Sequence, residues 1–300
     1  MRLGRLRYVS KYLAIQHFYT EKHWSISGMC KQLGVTRAAY YKWLKRDVPK
    51  AERENETIAQ VIREYDDRFN HILGYRRMTD WINRLNSTHY SRNRIHRIMK
   101  ELNIHSIIRR KKKKYTNTTP EATAENTLDR NFNAERPNQK WATDVTEFKW
   151  YEGIEVHKIY LSAILDLCDR RIVSYVISDR NDNPLVFKTF EKAVKANPDA
   201  HPLFHSDRGF QYTNRTFHHK LEKAKMTQSM SRVAHCIDNG PMEGFWGILK
   251  RERYYGKRFT SKKELIQTIE NFIRYYNTRR VQRNLGVLTP MEKHELSLAA

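Results

Sequence analysis

The chain has 300 residues, which is long enough for two or three domains. Of these residues, 39% are hydrophobic and 30% are charged, a composition that excludes a disordered protein. Lys and Arg number 56 against 33 Asp and Glu, giving a net charge of +23 that favours a polyanionic partner, most simply nucleic acid. A ribosome-associated or merely basic protein is the alternative at this stage.

The three cysteines are isolated and form no C-x-x-C pair: Cys30, Cys168 and Cys236. This argues against a zinc ribbon or a disulfide scaffold and favours a reducing compartment. The N-terminal segment lacks the continuous apolar stretch of a signal peptide, and no run of about 18 apolar residues occurs. We therefore expect a cytoplasmic protein with no membrane partner.

Residues 1–50 predict a helix-turn-helix module. Apolar residues recur at helical spacing from Ile26 to Leu33, Gly34 then breaks the pattern, and Thr36 can cap a second helix. That second helix would present basic and aromatic side chains toward a DNA major groove: Arg37, Tyr41 and Lys42. An ordinary helical hairpin is the alternative.

A second helical DNA-binding module is predicted over residues 51–114. It contains three helical segments, and Ser91 fits the N-cap of the third, whose apolar stripe leaves several arginines for solvent or phosphate: Arg92, Arg94 and Arg97. The module ends in a basic run that usually marks a solvated linker but on DNA would displace condensed counterions; the run includes Arg109, Arg110, Lys111 and Lys112. The Thr- and Asn-rich stretch that follows predicts a linker over 115–135.

Residues 136–300 change to strand periodicity. KWATDVTEFKW alternates as a strand, and HKIYLSAILDLCDRRIVSYVIS predicts a hairpin of two buried strands. A helix, a strand, a helix and a short strand follow, and two further helices are predicted after them. This order is typical of an α/β fold with a mixed five-stranded sheet and flanking helices.

Three acidic residues of this last domain are candidates for one site. Asp144 lies in the first strand, Asp207 just past the fourth, and Glu243 in the first turn of a helix. Pro241 fits the first helical position, so Gly240 would be the N-cap, and a glycine leaves the Glu243 carboxylate free of a capping box. Each residue also has a structural explanation, as a strand-end, turn or helix-start residue.

The chain resembles a known family in three blocks, WATDVTEF, HSDRGFQY and DNGPMEGFWGILKRE. With the tail YYNTRRVQRNLGVLTPMEK, they resemble the retroviral-integrase-like DDE transposases, in particular the second-frame product of the insertion-sequence-three family. The resemblance implies a ribonuclease-H-like integrase catalytic core over 136–300, with Asp144, Asp207 and Glu243 as the catalytic and metal-binding triad. It also implies double-stranded DNA (element ends and target) as partner, a homo-oligomer on that DNA, and a first-frame product as a candidate partner.

The chemistry of three clustered carboxylates agrees with that implication. Carboxylates in one pocket repel and raise each other's pKa, and hard cations relieve this because they prefer oxygen ligands. Two such ions can serve both the attacking and the leaving oxygen of a phosphoryl displacement. We therefore expect two Mg²⁺ ions, with Mn²⁺ as a substitute.

Lys250 lies seven residues after Glu243, nearly two helical turns along the same face, where a cation could hold the DNA end. The integrase-like enzymes use a lysine at the matching place, and a solvated lysine is the alternative. His205, Ser206 and Gln211 belong to the block around Asp207 and would orient that carboxylate or the substrate.

For His205 a structural hydrogen bond is favoured. A hairpin turn explains Asp166 and Asp169, and capping of the helix that carries Glu243 explains Asp238.

The sequence thus predicts a transposase that binds the terminal inverted repeats of its mobile element and carries out Mg²⁺-dependent DNA cleavage and strand transfer. One alternative is a catalytically silent, sequence-specific DNA-binding protein derived from a transposase. Another is a structure-specific nuclease or ribonuclease H, which shares the metal chemistry.

Overall fold

The computed structural model describes residues 9–47, 49–108, 126–232 and 236–299. The chain divides into two compact units, Met1–Ile108 and Arg109–Ala300. In the described ranges, no helix combines the length and the apolar character needed to cross a bilayer.

The first unit is all-helical, in agreement with the predicted periodicity. Its helices are α1 (Val9–Lys22), α2 (Ile26–Gln32), α3 (Arg37–Lys45), α4 (Lys50–Arg68), α5 (Tyr75–Leu85) and α6 (Arg92–Glu101). Two predicted caps are confirmed, because the Thr36 hydroxyl accepts from the Ala39 amide and the Ser91 hydroxyl accepts from the Arg94 amide.

Helices α1 to α3 pack around a small aromatic core. Tyr12 of α1 and Tyr40 and Trp43 of α3 are buried together, with ring centroids 5.4 to 6.2 Å apart. Gly34 turns the chain between α2 and α3 at φ +63°, a conformation that favours glycine. The burial of one face of α3 leaves its opposite face exposed.

The second unit contains five strands and five α-helices among its described residues. They are β1 (Lys140–Glu152), β2 (Glu155–Asp166), β3 (Ile172–Ser178), α7 (Asn183–Ala196), β4 (Leu203–Ser206), α8 (Arg215–Lys223), β5 (Thr227–Met230), α9 (Gly240–Leu249), α10 (Lys262–Thr278) and α11 (Pro290–Ala299). The strand order is β3-β2-β1-β4-β5, with β2 antiparallel to both neighbours, and with β4 parallel to β1 and β5 parallel to β4. This is the mixed sheet expected of a ribonuclease-H-like core.

Helices cover both faces of this sheet, as the alternation along β1 requires. Trp141 is buried with Phe190 of α7 and Phe217 of α8 on one face. The next residue, Ala142, is buried with Phe245 of α9 and other residues of α9 and α10 on the opposite face. Since side chains alternate between the two faces of a strand, odd-numbered β1 residues face the same helices as Trp141, and even-numbered ones face the same helices as Ala142.

Two details at helix starts differ from the predictions. Helix α9 begins at Gly240 with Asn239 as its N-cap, one residue earlier than predicted, so Pro241 is the second helical residue. Helix α11 was not predicted at all, and the predicted last two helices correspond to α9 and α10.

Candidate active site

The first candidate carboxylate, Asp144, lies in the middle of the central strand β1 and faces α9. It lies two residues after Ala142 in β1, so its side chain points to the same face of the sheet, which α9 and α10 cover. Its oxygens accept two hydrogen bonds, from the Val145 amide (2.8 Å) and from the indole Nε1 of Trp246 (2.9 Å). The side chain is partly buried.

The sheet register brings Asp207 to the same place. Lys140 pairs with Leu203 and Ala142 with His205, and continuing this parallel register by two residues sets Asp144 level with Asp207. The Asp207 carboxylate accepts the Gly209 amide at 2.9 Å. A Cβ on Gly209 would lie 3.0 Å from an Asp207 carboxylate oxygen, so the close turn behind the carboxylate favours glycine.

Glu243 reaches the site from α9. It is exposed, and it stands in the first turn of a helix whose Met242, Phe245 and Leu249 are buried against the sheet. A carboxylate there is favoured by the partial positive charge of the helix N-terminus. A β-strand, the loop after a neighbouring strand and a helix start therefore each deliver one carboxylate.

The charges of Asp207 and Glu243 both act on Asp144. Burial, the Asp207 charge and the Glu243 charge raise the pKa of Asp144 to about 7, although the bonds from Trp246 and Val145 oppose this. Burial also raises the pKa of Asp207, against the hydrogen bond from Gly209. Asp144 is therefore a carboxyl group whose anionic form is disfavoured by its surroundings and would be stabilised by a cation.

The donor set fits hard divalent cations, because carboxylate oxygens are the ligands that Mg²⁺ prefers. The donor atoms of Asp144, Asp207 and Glu243 do not all lie within 4.8 Å of one another, however. Across the described residues, the one set of three acidic or histidine side chains with donor atoms all within 4.8 Å is Asp66, Asp67 and His71 in the first unit. There, Asp66 and the His71 imidazole, 2.7 Å apart, form a local ion pair after α4.

Two residues at this site were not predicted from the sequence. Trp246, three residues after Glu243, donates to Asp144, and the Asn239 side-chain amide donates to the Thr143 carbonyl at 2.9 Å. The spacing of three residues, which places Trp246 and Glu243 on neighbouring positions of one helix face, is the sequence signal that could have identified Trp246.

The residues of the Asp207 block are fixed by hydrogen bonds. His205 is fully buried, its two ring nitrogens lie 3.0 Å and 3.2 Å from the hydroxyls of Ser229 and Ser231, and burial lowers its pKa to about 4. Ser206 is buried and its hydroxyl donates to the Asp207 carbonyl at 2.8 Å. Gln211 is buried and donates to Asn181 at 2.6 Å, which places its amide in a loop contact.

Lys250 stands where α9 gives way to a π-helix, Lys250–Tyr254. Its ammonium lies 5.0 Å from the centroid of the Phe148 ring, within the range of a cation–π contact. The side chain is half-buried, so its aliphatic part covers the sheet. The regular α-helix assumed in the prediction therefore ends just before this residue.

The interpretation of Asp238 as a helix cap is wrong. It lies in a 3₁₀ turn, Cys236–Asn239, and is fully buried, while the N-cap of α9 is Asn239. Its carboxylate accepts hydrogen bonds from Asn126, from Arg130 (2.7 Å) and from the backbone and side chain of Arg232. It thereby ties the segment before β1 to the segment after β5.

The predicted DNA-contact residues of the first unit divide into two groups. Exposed side chains are those of Arg37, Tyr41 and Lys42 on α3 and of Arg92 on α6, and Arg97 is partly exposed. Arg94 instead donates to Asn55 (2.8 Å) and Glu54 (3.0 Å) of α4, which argues against a DNA contact for that side chain. Arg109, Arg110, Lys111 and Lys112 lie outside the described residues.

Three family models match parts of the chain. Residues 134–236 match an integrase core domain, and residues 243–298 match a second model described as an integrase core domain. Residues 52–112 match an HTH-like domain.

Relatives match over most of the chain. InsK, the protein assigned as transposase of insertion sequence element IS150 in Escherichia coli K12, is 35% identical over 261 residues, covering 86% of this chain and 89% of InsK. The transposase InsF of insertion sequence IS3A, also from Escherichia coli K12, is 28% identical over 95% of this chain and 100% of InsF.

Solved structures also match part of the chain. The catalytic core domain of the HTLV-2 integrase, in complex with magnesium, is 17% identical with a TM-score of 0.40, over 53% of this chain and 97% of that one. The extent of the match to the IS150 protein decides the family. The chain belongs to the insertion-sequence-three-type transposases of the retroviral-integrase-like superfamily.

Proposed function

We propose that the protein binds the terminal inverted repeats of its mobile element and, with divalent metal, cleaves DNA at the element end and joins the freed 3′-hydroxyl to another phosphodiester. The observation that carries this proposal is that the charges of Asp207 and Glu243 both act on Asp144, although β1, the loop after β4 and α9 are distant in sequence. Membership of a transposase family supports the same chemistry.

Asp144, Asp207 and Glu243 would hold two Mg²⁺ ions, with Mn²⁺ as a substitute. When bound, these ions supply activation of the attacking oxygen and stabilisation of the leaving oxygen. The protein's own part is to hold the Asp207 carboxylate through the Gly209 turn and the Asp144 carboxylate through the donors Val145 and Trp246. Lys250, with His205, Ser206 and Gln211 behind the Asp207 loop, would support the position of the DNA end.

DNA recognition would belong to the helical modules of residues 1–50 and 51–114. The exposed Arg37, Tyr41 and Lys42 on one face of α3 have the character of a recognition helix, and Arg92 and Arg97 would contact phosphates. The basic run at 109–114 would add sequence-independent affinity. Two copies or more would bring two element ends together, and a first-frame product is a candidate further partner.

The test combines the full-length chain with labelled duplexes that carry candidate element ends. With Mg²⁺ we expect nicked and joined products, and we expect none with EDTA or with an RNA–DNA hybrid. Cleavage of the hybrid alone would indicate a ribonuclease H, and specific binding without any cleavage would indicate a silent DNA-binding protein.

The variants Asp144→Asn, Asp207→Asn and Glu243→Gln should each lower strand transfer more than about 100-fold, since even the outer partners of metal ligands contribute about 10- to 100-fold. Binding to the duplex should persist. Asp179→Asn, an exposed residue paired with Lys262, is the matched control and should keep full activity. Retained strand transfer in any of the three triad variants would refute the assignment.

A further inference from the structure

The indole N–H of Trp246 donates its hydrogen bond to Asp144, one of the three candidate carboxylates. Its indole Nε1 donates to Asp144 Oδ2 at 2.9 Å across 102 residues of sequence, while the Val145 amide donates to Asp144 Oδ1 at 2.8 Å. Each carboxylate oxygen thus accepts one bond and keeps a further acceptor direction. Two fixed donors on two different oxygens set the plane of the carboxylate.

The same helix carries the third carboxylate. Trp246 follows Glu243 by three residues, so both project from one side of α9. On the other side of Glu243, Asn239 donates to the Thr143 carbonyl, next to Asp144 in β1. Two polar bonds that flank Glu243 therefore hold two consecutive residues of β1, which links the position of Glu243 to that of Asp144.

Packing alone does not explain this arrangement. Trp246 is 6% exposed, contacts the Phe245 ring with centroids 5.0 Å apart, and belongs to the core between the sheet and α9–α10. A phenylalanine or leucine could fill such a core without bringing in a buried N–H group that needs an acceptor. Directing that N–H onto a carboxylate with acidic neighbours fixes the carboxylate where packing would leave it free to rotate.

We propose that Trp246 is a positioning residue that orients the Asp144 carboxylate, together with Glu243, for divalent-metal binding. This inference rests on the proposed function, because the divalent metal at Asp144 is part of that proposal. Trp246 touches neither metal nor DNA in this role and acts through Asp144. Outer hydrogen-bond partners of metal ligands contribute about 10- to 100-fold to metal affinity or activity, so we expect a loss of about tenfold.

The experiment measures Mn²⁺ binding to the full-length chain without DNA, by electron paramagnetic resonance of the free ion. The Asp144→Asn variant gives the background from other groups, such as Asp66, Asp67 and His71. Trp246→Phe should weaken the Asp144-dependent binding about tenfold. It should also raise the Mg²⁺ concentration for half-maximal strand transfer by a similar factor, with a much smaller change in the rate at saturating Mg²⁺.

Trp141→Phe is the matched control. This indole is also buried in the second unit and donates one hydrogen bond, to Asn138 Oδ1 at 3.2 Å, rather than to a carboxylate of the triad. It should lower thermal stability and leave Mn²⁺ affinity unchanged. If Trp246→Phe does not fold, benzothienylalanine at position 246 keeps the ring shape and replaces only the N–H, and the same loss of affinity is expected.

The outcomes separate the two proposals. Weaker Mn²⁺ binding in the Trp246 variants with no strand transfer by the wild-type chain upholds the positioning role and refutes the proposed activity. Equal Mn²⁺ affinity in folded Trp246 variants and wild type, with strand transfer intact, overturns the positioning role alone. A wild-type chain with no Asp144-dependent Mn²⁺ binding overturns the positioning role and the metal site together.

Discussion

Asp144 and Asp238 both adjoin α9 in the second unit, but their neighbours differ in kind. Asp144 accepts two hydrogen bonds, and the nearby charges that act on it are those of Asp207 and Glu243. Asp238 accepts bonds from two arginines and an asparagine. The first carboxylate is left short of positive charge and is available to a cation, whereas the second is saturated by the protein itself.

The pKa values of the two groups move in opposite directions for this reason. Burial and the acidic neighbours raise the pKa of Asp144 to about 7. Burial alone would raise the pKa of Asp238 too, but hydrogen bonds from Arg232 and Arg130 outweigh it and hold that pKa well below its usual range. Burial by itself therefore does not mark a functional carboxylate; the balance of its partners does.

The largest difference should appear in stability at neutral pH without divalent metal. Asp238→Asn removes the charged acceptor of Arg130 and the closer of the two carboxylates beside Arg232, which also lies 3.6 Å from Asp129, and loss of one member of a buried pair costs about 3–5 kcal/mol. We expect about 3 kcal/mol in urea denaturation, because the Arg130 and Arg232 side chains are 44% and 43% exposed. Asp144→Asn should cost nothing or stabilise the fold. Equal losses in the two variants would contradict the comparison.

A second prediction concerns the pH dependence of stability. Because the folded-state pKa of Asp144 lies above its unfolded value, the folded state binds the proton more tightly, and stability falls as pH rises from about 4 to about 7. After allowance for partial exposure, we expect this loss to be on the order of 2 kcal/mol. Asp144→Asn removes it, so the gain in unfolding free energy over wild type should grow across this range in metal-free buffer.

For Asp238 the sign is reversed. Its lowered pKa contributes stability that is present above the unfolded value of about 4 and is lost as pH falls below it. The cost of Asp238→Asn should therefore be constant between pH 5 and 8 and shrink in more acidic buffer. Parallel pH profiles for the two variants would show that the difference between the two carboxylates is not electrostatic.

Local patterns were sufficient to predict much of the fold. Apolar periodicity predicted helices α2 to α6 of the first unit, and alternation predicted β1 and the β2–β3 hairpin, because each depends on residues close in sequence. The three family blocks predicted which acids to compare. What the sequence could not show was the partner of each acid: Trp246 is 102 residues from Asp144, and Arg130 is 108 residues from Asp238.

Helix α11 is different, since its sequence signal is local. The sequence T-P-M-E at 289–292 fits a capping box followed by a helix. In the structure the Thr289 hydroxyl accepts from the Glu292 amide at 3.2 Å, and the Glu292 carboxylate accepts from the Thr289 amide at 2.8 Å.

This capping box gives the smallest prediction. Thr289→Ala removes an N-cap hydroxyl and should destabilise the second unit by about 1 kcal/mol. Glu292→Gln keeps a reciprocal acceptor and should cost less, which makes it the matched control. Both are measured by urea denaturation. Thr289 and Glu292 bond to each other at the start of α11, so the opposite pH profiles of Asp144 and Asp238 should be unchanged in a Thr289→Ala background. A change in either pH profile in the Thr289→Ala background would mean that α11 contributes to the electrostatics around α9. The contrast between Asp144 and Asp238 would then not be due to their immediate hydrogen-bond partners alone.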